Sequence, residues 1–311
     1  MRVVITGATG IIGTALTEYC ILHDVSVVAV VRPESRKVAR LPSGNQRLEI
    51  VECDLQQIER LPSLVSGTAD VFFHLGWGGH GIANRHEVCL QSLDISHTLK
   101  AVLAANALGC TRFVGAGSQA EYGRLTRPAT PDLPVKPENA YGIAKFAAGR
   151  MSALLSRQVG ITHTWARIFS VYGPNDSHDG MIVYAIRKLL QGEAPALTRC
   201  EQVWDYLYCS DAARALFLLG LHGKDQAIYN VGSGVARPLL DYVRILRDAI
   251  DPSLPLGIGE REYGENQVMY LCADIETLRR DTGFEPQVPF EEGIRRTIEW
   301  CRAQQDWSTH H

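Results

Sequence analysis

Tyr141 and Lys145 stand four residues apart, a spacing that puts both on one face of a helix. An ammonium beside a phenol favours the anion and lowers its pKa, which makes a base usable near neutrality. Pro137-Glu138-Asn139 precedes the pair, as at a helix start. A tyrosine–lysine pair on a surface helix has the same spacing, so the pair alone proves nothing. Ser118 strengthens it: after an apolar run ending near Gly115, its hydroxyl lies at the carboxyl edge of a sheet, where open α/β folds bind ligands. There it can hydrogen-bond a substrate oxygen while Tyr141 moves the proton.

A second set of residues suits phosphate. Gly7-Ala8-Thr9-Gly10-Ile11-Ile12-Gly13 follows the first apolar run and opens a helix. Glycines there let backbone N–H groups approach a pyrophosphate, and the helix N-terminus adds a favourable dipole. The spacing is G-x-x-G-x-x-G; its place between strand and helix makes it more than a structural turn. The residue ending the second strand reports on the adenosine ribose: a carboxylate suits NAD, an arginine the 2′-phosphate of NADP. Arg32 stands there, with Arg36, Lys37 and Arg40 behind it, which favours NADP against the alternative of a solvated basic loop. Asp54-Leu55 is placed to meet an adenine, and Leu75-Gly76 to pass close to the cofactor. Lys145 also suits the hydroxyls of the nicotinamide ribose. His74 reads as a packed strand-end histidine rather than a proton carrier.

These residues need a sheet edge to bring them together, and the chain supplies one. Apolar, β-branched runs at Arg2–Ile5, Val27–Val31, Leu48–Val51, Val71–Leu75, Arg112–Gly115 and Thr162–Ile168 lack polar alternation, as strands buried on both faces do. Helical patterns lie between them. One runs from Ser92 to Leu108 with Ile95, Leu99, Val102 and Leu103 on a stripe, and another from Ala140 carries Ile143, Phe146, Ala147 and Leu154. Such alternation predicts right-handed βαβ units and a parallel sheet. After Tyr172 the rhythm changes to helix 181–191, the run 205–209, helix 212–222, strand 227–231, a Pro/Gly-rich stretch at 251–264 and two short helices ending in 290–304. We expect residues 1–172 with 205–234 to form a dinucleotide-binding domain, and 173–204 with 235–311 a smaller α/β substrate lobe.

Composition narrows the function. The 311 residues amount to roughly two domains of ordinary length. Hydrophobic residues at 46% and charged residues at 21% are ordinary globular usage and exclude disordered, collagen-like and coiled-coil classes. Lys+Arg 31 against Asp+Glu 34 leaves a net charge of −3, with no sequence-wide attraction for nucleic acid or anionic lipid. The eight cysteines form no C-x-x-C pair and read as buried thiols in a reducing compartment. No metal site is expected. Met1-Arg2 runs directly into Val3-Val4-Ile5 with no leader pattern, and no apolar run spans a membrane, so a cytoplasmic location is expected.

Beyond these readings, the chain resembles the extended short-chain dehydrogenase/reductases of the nucleotide-sugar epimerase/dehydratase group. The matching residues are Gly7–Gly13, Asp54-Leu55, Ser118–Gly123, Pro137–Lys145, Arg167–Pro174, Asp205–Asp211 and Tyr229–Gly234. The resemblance implies a Rossmann-type doubly wound fold, Ser118, Tyr141 and Lys145 as catalytic triad, and tightly bound NADP or NAD. It also implies a nucleotide-sugar substrate, and a homodimer joined in a four-helix bundle by the helices near 92–108 and 140–157. The dehydratases of this group carry acid and base groups directly after the Ser/Thr; here those positions are Gln119 and Ala120, which disfavours dehydration. A 4-epimerase is the leading expectation. An NADPH-dependent 4-keto-6-deoxyhexose reductase is the alternative, which Arg32 and the C-terminal region (263–274, 283–286) favour, and a non-catalytic dinucleotide sensor is disfavoured by the complete triad. Several positions depart from the family pattern: its two phosphate-holding arginines fall on Trp204 and Gly264, and two of its asparagines on Ser170 and Asp94. Arg199, Arg261 or Arg187 then takes the phosphates, or they lie differently. Trp204 either stacks on the base or sugar or belongs to a lobe core. In Gly76-Trp77-Gly78-Gly79-His80-Gly81 the glycines suit a mobile loop on the sugar pocket, with Trp77 and His80 as substrate contacts.

Overall fold

Strands whose two faces are both apolar need cover on both sides, and the fold supplies it. The computed structural model describes residues 1–78, 81, 84–178 and 180–304. The N-terminal part runs β1 (Arg2–Thr6), α1 (Ile11–Leu22), β2 (Ser26–Val31), β3 (Leu48–Glu52), α2 (Leu61–Leu64), β4 (Val71–His74), α3 (Val88–Ala107), β5 (Arg112–Ser118), α4 (Ala140–Val159) and β6 (Thr162–Ile168). There follow β7 (Ser170–Tyr172), α5 (Met181–Leu190), β8 (Ala196–Leu197), β9 (Val203–Trp204), β10 (Tyr206–Tyr208), α6 (Cys209–His222) and β11 (Ala227–Val231). The chain continues through β12 (Arg237–Pro238), α7 (Leu239–Asp248), β13 (Gly257–Ile258), α8 (Glu276–Thr282) and α9 (Phe290–Ala303).

Seven strands make one sheet in the order β11-β6-β5-β4-β1-β2-β3, parallel throughout. Strand order reverses between β1 and β4, and a crevice opens at the carboxyl ends of the strands there. Register aligns the functional turns on that edge: Thr6 pairs with His74, and Ser118 with Ile168. Alternate residues face opposite layers. Val3, Ile5, Val27, Ala29 and Phe73 pack with Leu16 of α1 and Leu216 and Leu219 of α6. Val4, Val28, Phe72 and Phe113 pack with Ala101, Val102 and Ala105 of α3. The six N-terminal strands fall on the expected runs, β5 extending to include Ser118 itself, but β3 is not buried on both faces: it is the edge strand, Val51 alone is buried and Ile50 is exposed.

The helices α3 and α4 differ from the expected stripes. On α3 the buried face holds Gln91, Asp94, Thr98, Ala101, Val102, Ala104 and Ala105, whereas Leu103 is exposed and Ile95 and Leu99 are half-buried. On α4 the buried residues are small except Lys145, and Ile143 and Leu154 are exposed. Close approach requires this: a Cβ on Gly149 would come within 2.6 Å of the Trp165 ring, and one on Gly142 within 2.4 Å of the Ala120 carbonyl.

The rest of the chain adds three two-stranded pairs, β7 with β10, β9 with β12 and β8 with β13. Helices α5, α7 and α9 close around Tyr172, Tyr208, Tyr242 and Phe290. Helix α7 is the longest element the sequence reading omits. It is short and begins directly after Pro238, yet Leu239, Tyr242, Val243 and Leu246 form its buried stripe. Seven cysteines are buried, but Cys89 is exposed. Among the described residues no helix is long and apolar enough to cross a membrane.

Candidate active site

The glycine turn sits between the ends of β1 and β4. Gly7 has φ +68°, and a Cβ there would lie 2.8 Å from the Gly76 nitrogen. A Cβ on Gly13 would meet the Gly7 carbonyl at 2.1 Å. Gly10 caps α1 without a side-chain hydrogen bond, and the first turn carries no carboxylate. The helix N-terminus therefore presents uncapped N–H groups with no anion of its own, which fits a dinucleotide pyrophosphate.

Beyond β2 the chain turns through its basic stretch. Arg32, Arg36 and Lys37 are exposed, and Arg40 is half-buried. An Nη of Arg40 donates to the carbonyls of Thr9, in the glycine turn, and Asn175, each at 3.2 Å. Burial and the like charges of Arg40 and Arg32 push the Lys37 pKa down. Among the described residues none of these four cations makes an ion pair. Asp54 accepts from the Gln56 nitrogen at 2.9 Å. The Leu55 methyls lie 3.0 Å from where a Gly76 Cβ would stand, so Leu55 and Gly76 meet at the same edge.

Ser118, Tyr141 and Lys145 come together at the carboxyl end of β5. Asn139 caps α4, accepting from the Gly142 nitrogen at 2.8 Å, and fixes the turn carrying Tyr141. The Ser118 hydroxyl accepts from the Ala120 nitrogen at 3.1 Å, and its proximity favours the ionised form of the Tyr141 phenol. Lys145 is buried; its Nζ donates to the Ala116 carbonyl at 2.8 Å and lies 3.7 Å from the centroid of the Trp77 ring.

The electrostatics differ from the expectation that lysine lowers the phenol. Burial pushes the Tyr141 pKa up, against the opposing effects of Ser118 and Arg85. Lys145 lies 5.8 Å from the centre of the Tyr141 ring, and burial pushes its own pKa down to about 7, with Glu121 and Asp94 pulling the other way. Of the two, the lysine gives up its proton more readily.

Glu121 is the buried residue that ties this corner together, and sequence reasoning passed over it. Its Oε1 accepts from the Ser118 nitrogen and the Trp165 indole, each at 2.9 Å, and its Oε2 from Arg167 Nε at 2.8 Å. The signal was present: Ser118-x-x-Glu121 is a capping box. Arg85, whose guanidinium carbon lies 5.3 Å from the Tyr141 ring centre, lies in a loop with no such signal. Its carbonyl accepts from the Tyr141 nitrogen at 3.0 Å.

The remaining sequence candidates are dispersed. Trp77 is buried beneath Lys145, and His80 lies outside the described residues. Gln119 is half-buried in the turn after Ser118. Trp204 donates to the Ser170 hydroxyl at 2.8 Å, so two departures from the family pattern bond each other. Arg199 and Arg261 are exposed, beside Tyr263 and Tyr184 respectively. His74 is sealed between the hydroxyls of Thr6 at 2.9 Å and Thr98 at 3.3 Å, and burial pushes its pKa down to about 3. It packs, as its sequence position suggested.

With that geometry in place, a family model described as the NAD dependent epimerase/dehydratase family matches residues 3–232. The chain belongs to this family. Its cofactor is accordingly a nicotinamide dinucleotide. Among curated proteins, the dTDP-glucose 4,6-dehydratase 1 of Escherichia coli is 25% identical over 99% of this chain and 94% of its own length. Among solved structures, the UDP-N-acetylglucosamine 4-epimerase of Methanobrevibacter ruminantium superposes with TM-score 0.88 at 23% identity, covering 97% of this chain and 98% of that one. The UDP-glucose 4-epimerase of Thermotoga maritima gives 0.86 at 24%, covering 98% and 100%. The family's shared fold, a parallel sheet with its crevice at the carboxyl edge, is the fold of this chain.

Proposed function

We propose that this protein carries out NAD(P)-dependent oxidoreduction at C4 of a nucleotide-activated hexose, as a 4-epimerase. The observation that carries the reading is the convergence of Ser118, Tyr141 and Lys145 at the carboxyl edge of the sheet, with Tyr141 and Lys145 one turn apart on α4 and Lys145 bonded to the Ala116 carbonyl of β5. Ser118 holds the sugar hydroxyl, Tyr141 takes its proton and later returns it, and Lys145 reaches the nicotinamide ribose. When bound, the dinucleotide supplies a ring that accepts and returns a hydride, and its positive charge offsets the burial that raises the phenol. The backbone amides of Ile11, Ile12 and Gly13 hold the pyrophosphate, and Asp54, Leu55, Leu75 and Gly76 line the adenine and ribose side. Arg199 and Arg261 take the phosphates of the sugar nucleotide, and Ser170 and Trp204, bonded to each other, are further substrate contacts.

Arg32, Lys37 and Arg40 support NADP as the preferred form, because unpaired cations beside the adenosine ribose suit a 2′-phosphate. The same observation favours the second reading, an NADPH-dependent reductase of 4-keto-6-deoxyhexose nucleotides, in which the cofactor leaves after each turnover. Dehydration is less supported, since the Ala120 side chain has no proton to move. Exposed Val88, Leu90, Leu93, Leu103, Ile143, Met151 and Leu154 on α3 and α4 support a homodimer in which a second copy covers these helices. Incubation with UDP-, CDP-, GDP- and dTDP-sugars separates the readings: epimerisation needs no net NADPH, whereas reduction consumes it in step with a keto substrate. If no nucleotide sugar reacts in either way, the proposal fails.

A further inference from the structure

We infer that Trp77 is a positioning residue for the reaction, its indole face seating the Lys145 ammonium and its ring bracing that of Tyr141. The inference rests on the reading of Tyr141 and Lys145 given above, and it differs from the expectation that Trp77 contacts substrate. The ring is buried, with the ammonium 3.7 Å from its centroid. The Tyr141 ring stands perpendicular to it at 6.0 Å between centroids. The Trp77 N–H donates to Gln91 Oε1 at 2.9 Å, and Gln91 Nε2 in turn donates to the Asn84 carbonyl at 2.9 Å. The next residue is held as well, the Gly78 nitrogen donating to both carboxylate oxygens of Asp94 at 3.0 Å. The indole is thus clamped to α3 at two successive residues.

This clamp does something specific. A buried ammonium is held by the partners that surround it; among the described residues Lys145 has one carbonyl acceptor, at Ala116. The π face offers a second attractive surface and excludes water from that side. Four side-chain carbons leave lysine many rotamers, and the flat indole removes those that would swing Nζ away from the crevice. Tyr141 is braced by the same ring, so one side chain sets the distance between the two groups that must act together.

The inference separates from a substrate-contact role by kinetics and by a spectroscopic signature. Trp77→Leu is expected to lower kcat about tenfold with the sugar KM little changed, and Trp77→Phe, which keeps a π face, to recover most of that loss. Should Trp77→Leu not fold, Gln91→Leu frees the indole N–H while keeping the ring, and a smaller loss with the same split is expected. Independently of any substrate, 13C-labelled lysine should show the Lys145 ε-methylene displaced upfield by the indole ring current, assigned with Lys145→Arg and lost in Trp77→Leu. An undisplaced signal in the parent protein, or a raised KM with unchanged kcat in Trp77→Leu, overturns the inference. Tyr141→Phe is the control. If that variant keeps turnover, the parent reading fails whatever Trp77 does; if it is inactive while Trp77→Leu is fully active, only the role of Trp77 falls.

Discussion

At one end of the crevice Ser118, Glu121, Trp165 and Arg167 are joined by buried hydrogen bonds of 2.8 to 2.9 Å, with a carboxylate opposing the guanidinium. At the other end Arg32, Lys37 and Arg40 gather without any carboxylate partner among the described residues. The first region is complete in itself: its charges are paired and its donors satisfied. The second has excess charge that only an anion from outside can balance. The difference is one of timing. On the proposed function, geometry needed for proton transfer is fixed during folding, where low dielectric makes each hydrogen bond count, while charge needed for binding is left open to solvent until a ligand arrives. The two ends therefore respond to different perturbations: the buried end to the loss of single atoms, the basic end to charge and salt.

The largest effect belongs to the buried end. Tyr141→Phe removes one oxygen, and turnover should fall by about a thousandfold while dinucleotide binding, followed by fluorescence titration, is retained. Next comes Glu121→Gln, which leaves Arg167 buried without its counter-charge. A loss of about 3 kcal/mol in urea denaturation is expected, together with reduced turnover, because the Ser118 backbone loses its anchor. Arg32→Ala should weaken NADP binding about tenfold and leave NAD nearly unaffected. Added salt should weaken NADP binding in the parent and much less in the variant, since exposed charge is screened. An equal loss for both cofactors would erase the contrast between the two ends.

The smallest effect at neutral pH is acid sensitivity. His74 and His163 have pKa values pushed by burial from 6.5 down to about 3 and about 4. Each is held neutral in the fold and takes up its proton more readily when unfolded. Their contribution is therefore fully present above pH 6.5 and is lost as pH falls from there through the folded values. Stability should drop by on the order of 1 kcal/mol per histidine for each pH unit in that window. His163→Gln should flatten its share of the slope, and a parent protein equally stable at both ends of the window would contradict the burial.

Much of this contrast was readable in the chain. Five of the six N-terminal strands lacked polar alternation because both faces are covered, whereas β3 lies at the sheet edge with Ile50 exposed, and the glycine turn could be placed because only one strand–helix junction carried that pattern. The stripe on α3 was misread for a physical reason. Its sheet-facing side needs small and hydrogen-bonding residues, such as Ala101, Asp94 and Thr98, where Asp94 and Thr98 bond Gly78 and His74, so its leucines point outward instead. Glu121 was hidden because a buried carboxylate looks like a surface one until its partners, 44 and 46 residues further on, are known. Trp77 carried no periodic signal at all, since it lies in the loop after β4 and its role depends on a lysine from α4. The basic stretch after β2 was legible as charge, but its lack of partners became visible only in the fold.

The central claim is that the phenol of Tyr141 exchanges a proton with a sugar carbinol next to a nicotinamide ring. It is tested most directly by incubating the dinucleotide-loaded protein with each class of nucleotide sugar and following the configuration at C4 of the sugar by NMR. Parent protein should convert at least one nucleotide sugar, and Tyr141→Phe, loaded to the same extent, should not. Conversion that survives in Tyr141→Phe, or none by loaded parent protein with any nucleotide sugar, would contradict the account.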